Sequence, residues 1–263
     1  MLDRDGIERP DTFDGHALEF EHKEKRYTVT EETYSPRNPF YIFFCFIVHG
    51  IAVAALSLIG LILFRARVHG KKYYREVKKS GGIIVCNHVH YFDIVLTSSL
   101  LSPFKKVWVT TIQSNMDIPV AGFFERVLGA IPIPDERAKM PLFIDAVDKR
   151  LQKRNFVSFM PETALWPHYR DLRPFKPSAF RFAAKNSVPV LPVTLTFRMK
   201  QKTNKKGETV RKYKFTYDFL PPVYPNKSLS VPENTDYLLN AAHKLMEENI
   251  TDRNAENLAK YGV

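Results

Sequence analysis

The sequence predicts an α/β domain with a mixed sheet, preceded by an N-terminal membrane-associated helical segment. Three observations predict it. Short apolar runs alternate with amphipathic stretches from Gly81 onward, the pattern of strands joined by crossover helices. The last two extended stretches flank a turn at Thr203–Gly207, so they form an antiparallel hairpin and make the sheet mixed. Finally, the 25 residues from Phe40 to Phe64 contain no Asp, Glu, Lys or Arg, and a spanning helix needs about 20.

The elements follow in order. Residues 1–39 form an acidic extension with a net charge of −4 and no apolar stretch near Met1, which argues against a secretory signal. Residues 40–79 combine the apolar segment with a basic flank: Arg65, Arg67, Lys71, Lys72, Arg75, Lys78 and Lys79. Such a flank is expected to stay on the cytoplasmic face against anionic headgroups. His49-Gly50 near the middle of the segment allows a second arrangement, two short helices that enter one leaflet and return. Residues 80–263 form the domain proper. Ile83–Cys86 is a buried strand introduced by Gly81-Gly82, and Asp93–Leu101 is a helix. Val107–Thr111, Ala130–Ile133 and Phe156–Met160 read as strands, with helices over Pro119–Gly129 and Met140–Arg154 between them. Ser178–Asn186 is a short helix, Val188–Phe197 and Val210–Phe219 are the closing strands, and Asp236–Ile250 is the final helix.

The net charge of +11 is uneven, because residues 40–263 carry +15. A basic body suits an anionic partner such as a phospholipid surface, a phosphorylated substrate or nucleic acid. Tyr213, Phe215 and Tyr217 are interleaved with Arg211, Lys212 and Lys214, but their alternation is that of one face of a strand, so no nucleic-acid partner is expected. The two cysteines, Cys45 and Cys86, lie in apolar runs without metal-ligand spacing.

Two stretches carry chemistry. In Cys86-Asn87-His88-Val89-His90-Tyr91-Phe92-Asp93, a buried strand gives way abruptly to polar residues and then to a helix. Reactive groups gather at such strand ends in α/β domains. His88 is a natural general base, and Asp93 in the first helical turn is able to fold back and fix its tautomer. Asp93 suits equally well a plain helix-capping role. His88, His90 and Asp93 also suggest the start of a metal site in a metal-dependent hydrolase, although no further cluster completes the ligand set. In Phe159-Met160-Pro161-Glu162-Thr163, a strand again ends in a polar group, and Arg170, Arg173 and Lys176 follow in a proline-rich loop. Arginines there are able to grip a phosphate, while Glu162 either binds hydroxyls or pairs with one of them.

Together these stretches resemble the glycerophospholipid acyltransferases, which include the 1-acylglycerol-3-phosphate (lysophosphatidic acid) acyltransferases. Asn87-His88-x4-Asp93, then Phe-x-Pro-Glu at 159–162, then Val188-Pro189-Val190-Leu191-Pro192-Val193 occur in the family's order across about residues 80–220. The resemblance implies an acyltransferase domain and no cofactor beyond acyl-CoA or acyl carrier protein as co-substrate. It also implies no metal, His88 and Asp93 as the catalytic pair, and Asn87, Glu162 and Thr163 on the substrate side. The implied product is phosphatidic acid, made at a phospholipid membrane from a lysophospholipid. Thr163, Ala164 and Leu165 stand where the family often has Gly-Thr-Arg, and Asp135 stands where it has an arginine. Arg137, Arg170 or Arg173 are the candidate replacements for these cations. The departures leave a different lipid acceptor open.

Overall fold

The computed structural model describes residues 2–3, 5–13, 27–91, 93–101, 106–203, 207 and 209–261. Before the first strand come a single helical turn, α1 (Glu31–Tyr34), and α2 (Pro39–Ile62). Strands and helices then follow as β1 (Arg67–His69), α3 (Lys71–Val77), β2 (Gly82–Cys86), α4 (Asp93–Leu101) and β3 (Val107–Ile112). The chain continues with α5 (Ala121–Leu128), β4 (Ile131–Ile133), α6 (Met140–Gln152) and β5 (Phe156–Phe159). It closes with α7 (Ser178–Asn186), β6 (Val190–Thr203), β7 (Thr209–Phe219) and α8 (Val231–Tyr261).

The sheet has seven strands in the order β1-β7-β6-β2-β5-β3-β4, with β6 and β7 antiparallel and the other pairs parallel. It is therefore mixed, as the sequence predicts, but larger than predicted. Arg67–His69, expected as part of the basic flank, pairs with β7 as an edge strand. The final helix reaches Tyr261 instead of Ile250, and the tip of the expected hairpin turn, residues 204–206, lies outside the described residues.

Period-2 alternation sends successive β2 side chains to opposite faces. Ile83 and Val85 join α6, α7 and α8 in one core, around Val147, Phe180 and Ala242. Ile84 and Cys86 join α3 and α4 in the other, around Tyr74, Leu96 and Tyr217. Gly70 makes the turn between β1 and α3 at φ +70°, and a Cβ there would lie 1.9 Å from the carbonyl oxygen of Phe219. Only glycine meets both conditions. The N-terminal extension is not separate: Val29 and Tyr34 are buried in the α6-side core, and the Tyr34 hydroxyl donates to the Pro132 carbonyl at 2.7 Å.

Helix α2 begins at Asn38, whose side chain accepts from the amides of Phe40 and Tyr41 at 2.9 and 3.2 Å, with Pro39 in the first helical position. It runs unbroken through His49-Gly50, so the two-helix hairpin considered from sequence is not formed: the glycine leaves the backbone ladder intact. Its 24 residues include an 18-residue window with a mean hydropathy of 2.5, long and apolar enough to cross a membrane. The outer face is bare, with Phe40, Phe46 and Ile51 all more than 60% exposed. The inner face packs through Gly60 against Leu96, while the Ser57 hydroxyl donates to the Ser99 carbonyl at 3.3 Å.

On α5, burial lifts the Glu125 carboxyl to about 7, against weaker opposing contributions from Thr111 and Arg126. Because the folded-state value is raised, the proton contributes stability that is full below the ordinary value of 4.5 and is lost as pH rises through 7. Denaturation midpoints of the wild type are expected to fall over that window, and Glu125→Gln to flatten the fall. An equally steep decline in the variant would show that Glu125 is not its source.

Candidate active site

The site forms where β2 ends. Asn87 follows the last residue of β2 and uses its side chain as a further rung of the ladder to β6. Its amide NH2 donates to the Leu195 carbonyl at 3.0 Å, and its carbonyl oxygen accepts from the Leu195 amide at 2.7 Å. Both ends are committed and the residue is 2% exposed, so Asn87 does not present itself to a substrate; it pins the strand end from which His88 projects. Asn87→Ala is expected to cost about 1–3 kcal/mol of stability by stranding buried Leu195 groups. Chemical denaturation measures this, and an unchanged midpoint would contradict the pinning role.

His88 then turns its ring outward, with a side chain 22% exposed, while Asp93 is completely buried at the first position of α4. The Asp93 Oδ2 lies 3.0 Å from the His88 Nδ1 and also accepts from the amides of Val89 at 2.9 Å and His90 at 3.1 Å. One carboxylate thus shapes the corner and orients the imidazole, so the capping and orienting readings of Asp93 describe the same contacts. The burial of this carboxylate is offset by those donors and by the N-terminal end of α4. Its charge and the burial that precedes it in effect push the Cys86 thiol and the Tyr217 phenol well above their ordinary values. The Tyr217 hydroxyl is buried with no hydrogen-bond partner among the described residues.

The opposite wall comes from the loop after β5. The Glu162 carboxylate accepts from the His88 amide at 2.7 Å, from the Arg173 amide at 2.8 Å and from the Arg173 guanidinium at 3.1 Å. That guanidinium also donates to the Ala164 carbonyl and lies over the Trp166 ring, its carbon 4.7 Å from the ring centroid. Glu162 and Arg173 are 2% and 1% exposed and form an internal ion pair that fixes His88 from behind, the arginine pairing that was one of the two sequence readings of Glu162. Arg170 is likewise engaged, bonding Asp5 of the N-terminal extension at 2.8 Å. Thr163 is exposed, at φ +65°, with its hydroxyl donating to the Glu162 carbonyl at 2.7 Å. Arg137 is exposed beyond β4. It lies at the same end of the sheet as His88 but three strands across, roughly 14 Å at ordinary strand spacing.

His90, the extra ligand of the hydrolase alternative, is packed into aromatic rings instead. Its centroid is 4.8 Å from Phe215, 5.2 Å from Phe64 and 5.8 Å from His168. Burial lowers its proton affinity, Asp93 opposing in part. Among the described residues no three His, Cys, Asp or Glu side chains gather as a ligand set. The proline-rich loop closes onto the strand end at Leu165–His168: the Trp166 amide donates to the His88 carbonyl at 3.2 Å and the His168 amide to the Val89 carbonyl at 2.8 Å. Its density of aromatic and proline residues, Trp166-Pro167-His168-Tyr169, was the available signal of an ordered loop.

The sequence model of the family described as Acyltransferase matches residues 65–196, half of the chain, and takes in both strand ends. The chain belongs to the acyltransferase family. It is 34% identical over 115 residues to a chloroplastic 1-acyl-sn-glycerol-3-phosphate acyltransferase of Brassica napus, covering 43% of this chain and 32% of that protein. A chloroplastic enzyme of the same name from Arabidopsis thaliana is 33% identical over 115 residues, 43% of this chain and 31% of the relative. The chain thus spans about a third of the length of these curated relatives. The acyltransferase fold is shared with the 1-acyl-sn-glycerophosphate acyltransferase of Thermotoga maritima, at a TM-score of 0.59 and 20% identity over 82% of this chain and 88% of that one.

Proposed function

We propose that this acyltransferase moves a fatty acyl group from a thioester carrier, acyl-CoA or acyl carrier protein, to the free hydroxyl of a lysophospholipid. The first candidate acceptor is 1-acylglycerol-3-phosphate, which would give phosphatidic acid. The observation that carries this reading is the exposed His88 ring held at 3.0 Å by a buried Asp93. The carboxylate keeps a proton on Nδ1, so Nε2 faces outward with a free lone pair. Nε2 takes the proton of the acceptor hydroxyl as its oxygen attacks the thioester carbonyl. The tetrahedral intermediate collapses with loss of the carbon–sulfur bond, and the imidazolium returns the proton to the leaving thiolate. Asp93 stays ionised throughout and stabilises the imidazolium. No acyl-enzyme and no cofactor take part.

The names of the plant relatives support the acceptor class, and α2 with its basic flank supports action at a membrane surface, on the cytoplasmic face by the positive-inside rule. Thr163 and Arg137 are the proposed acceptor contacts, because Arg170 and Arg173 are held by Asp5 and Glu162. That shortage of free cations, with Asp135 in an arginine's place, is the specific reason to retain an acceptor without a phosphomonoester as the second reading.

The test offers labelled acyl-CoA and acylated carrier protein to the purified protein in lipid, with a panel of lysolipids. Phosphatidic acid as the main product supports the first reading, and acylation of another lysolipid the second. Failure on the whole panel by folded protein would remove both.

A further inference from the structure

Across the sheet from His88, a polar cavity opens at the β1 edge. Arg67 and His69 stand in register with Thr216 and Asp218 of β7, so all four side chains share one face, while Tyr217 between them points the other way, toward Asp93. Arg198 of β6 comes onto the same face. Over them lies the end of α8, where Arg253, Glu256, Asn257, Lys260 and Tyr261 follow the helical repeat along one side. All of these but Asp218 line an open cavity of ≈ 40 Å³, room for a few waters or one phosphoryl group.

The charges do not cancel. Arg253 is bonded twice to Asp218, at 2.6 and 2.8 Å, and once to Glu256 at 2.9 Å, which accounts for both carboxylates. Among the described residues Arg67, Arg198 and Lys260 have no carboxylate within ion-pair distance. The C-terminal dipole of α8 accounts for Lys260. It does not account for Arg198, which is 8% exposed at the floor of the cavity and has the Tyr261 ring 4.7 Å from its guanidinium carbon. A guanidinium kept this far from water without a counter-ion is costly, and an anion in the cavity offsets that cost. The Tyr261 phenol is itself pulled below its ordinary value, by Arg198 first and Arg67 also, which registers the positive potential. Arginine forks match the paired oxygens of phosphate groups bidentately, and both carboxylates of the cavity are already held by Arg253.

We propose that the cavity between β1, β6 and the last two turns of α8 is a phosphate-binding site, distinct from the His88 centre. Its ligand is a phosphomonoester or phosphodiester group. A membrane lipid headgroup is one source, since Arg67 follows the end of α2 by five residues; a soluble phosphate is the other. The proposal does not depend on which reaction His88 performs.

The full chain is tested in neutral detergent with labelled inorganic phosphate, and in phosphatidylcholine nanodiscs with and without phosphatidic acid. The double variant Arg67→Gln/Arg198→Gln is expected to weaken binding by about tenfold or more, as loss of charge-assisted hydrogen bonds implies. Lys149→Gln/Lys244→Gln removes the same charge from exposed helix positions elsewhere and is expected to change nothing. Binding of inorganic phosphate identifies a soluble source; retention of phosphatidic acid alone identifies the lipid. Lys260→Gln, a change at an exposed position, must weaken binding even where the double variant fails to fold. No binding of either probe, or equal losses in the control variant, would overturn the site.

Discussion

His88→Ala is expected to lower the rate of acyl transfer by about 10²–10⁴-fold, the range for loss of a positioned general base. Folding should change little, because the ring is partly exposed and its removal leaves Asp93 with the Val89 and His90 amides. The two measurements together separate the proposed role from a structural one: a steady-state assay in lipid, and a thermal melt. Asp93→Asn is expected to fall in the same activity range but also to melt earlier, since it weakens all three contacts of a buried carboxylate. Full activity in the alanine variant would sink the general-base assignment, whatever the acceptor proves to be.

Glu162→Ala carries the largest expected effect on stability. It removes the only carboxylate among the described residues that pairs with a guanidinium 1% exposed, and it unhooks the His88 amide in the same step. Breaking a buried pair from one side typically costs about 3–5 kcal/mol, which for a chain of this size shifts the melting midpoint by roughly 6–20 °C. A Glu162→Ala/Arg173→Leu double variant should recover part of the loss, because the stranded charge is gone as well. If the single variant melts like the wild type, the pair is not holding the loop. An intact melt combined with a changed KM for the acceptor would restore the substrate-binding role that the sequence suggested for Glu162.

The sequence was informative where physical demands are local. The strand before Asn87 ends in polar residues within one step, and the helix after it starts on a carboxylate, so the His88–Asp93 pairing follows from five residues. The apolar stretch of α2 is equally plain, since a run of that length without charge has few alternatives. What escaped was set by distant partners. Asn87 beside a reactive histidine looks like a substrate contact, yet its partner is the backbone of Leu195, 108 residues away. Arg173 reads as a phosphate grip as readily as a partner of Glu162, because nothing in the sequence says which arginine Glu162 takes or that Trp166 covers it. β1 is three residues long with polar ends and leaves no periodic trace. The last turns of α8 went unseen because beyond Ile250 the helix has no apolar stripe, and it covers a polar cavity there instead of a core.

The junction between α2 and the domain has a kinetic meaning. The Phe64 carbonyl accepts from the Phe215 amide at 3.2 Å and the Phe64 ring meets His90, two residues from His88, so the depth of the His88 ring relative to the helix is set by a few covalent and hydrogen-bonded links. On the proposed function, an enzyme tethered to a bilayer through α2 would sample its acceptor by lateral diffusion within a leaflet, and its turnover would follow the mole fraction of acceptor in the surface and not its concentration in the bulk volume. Adding inert lipid at constant total acceptor should slow the reaction by surface dilution alone.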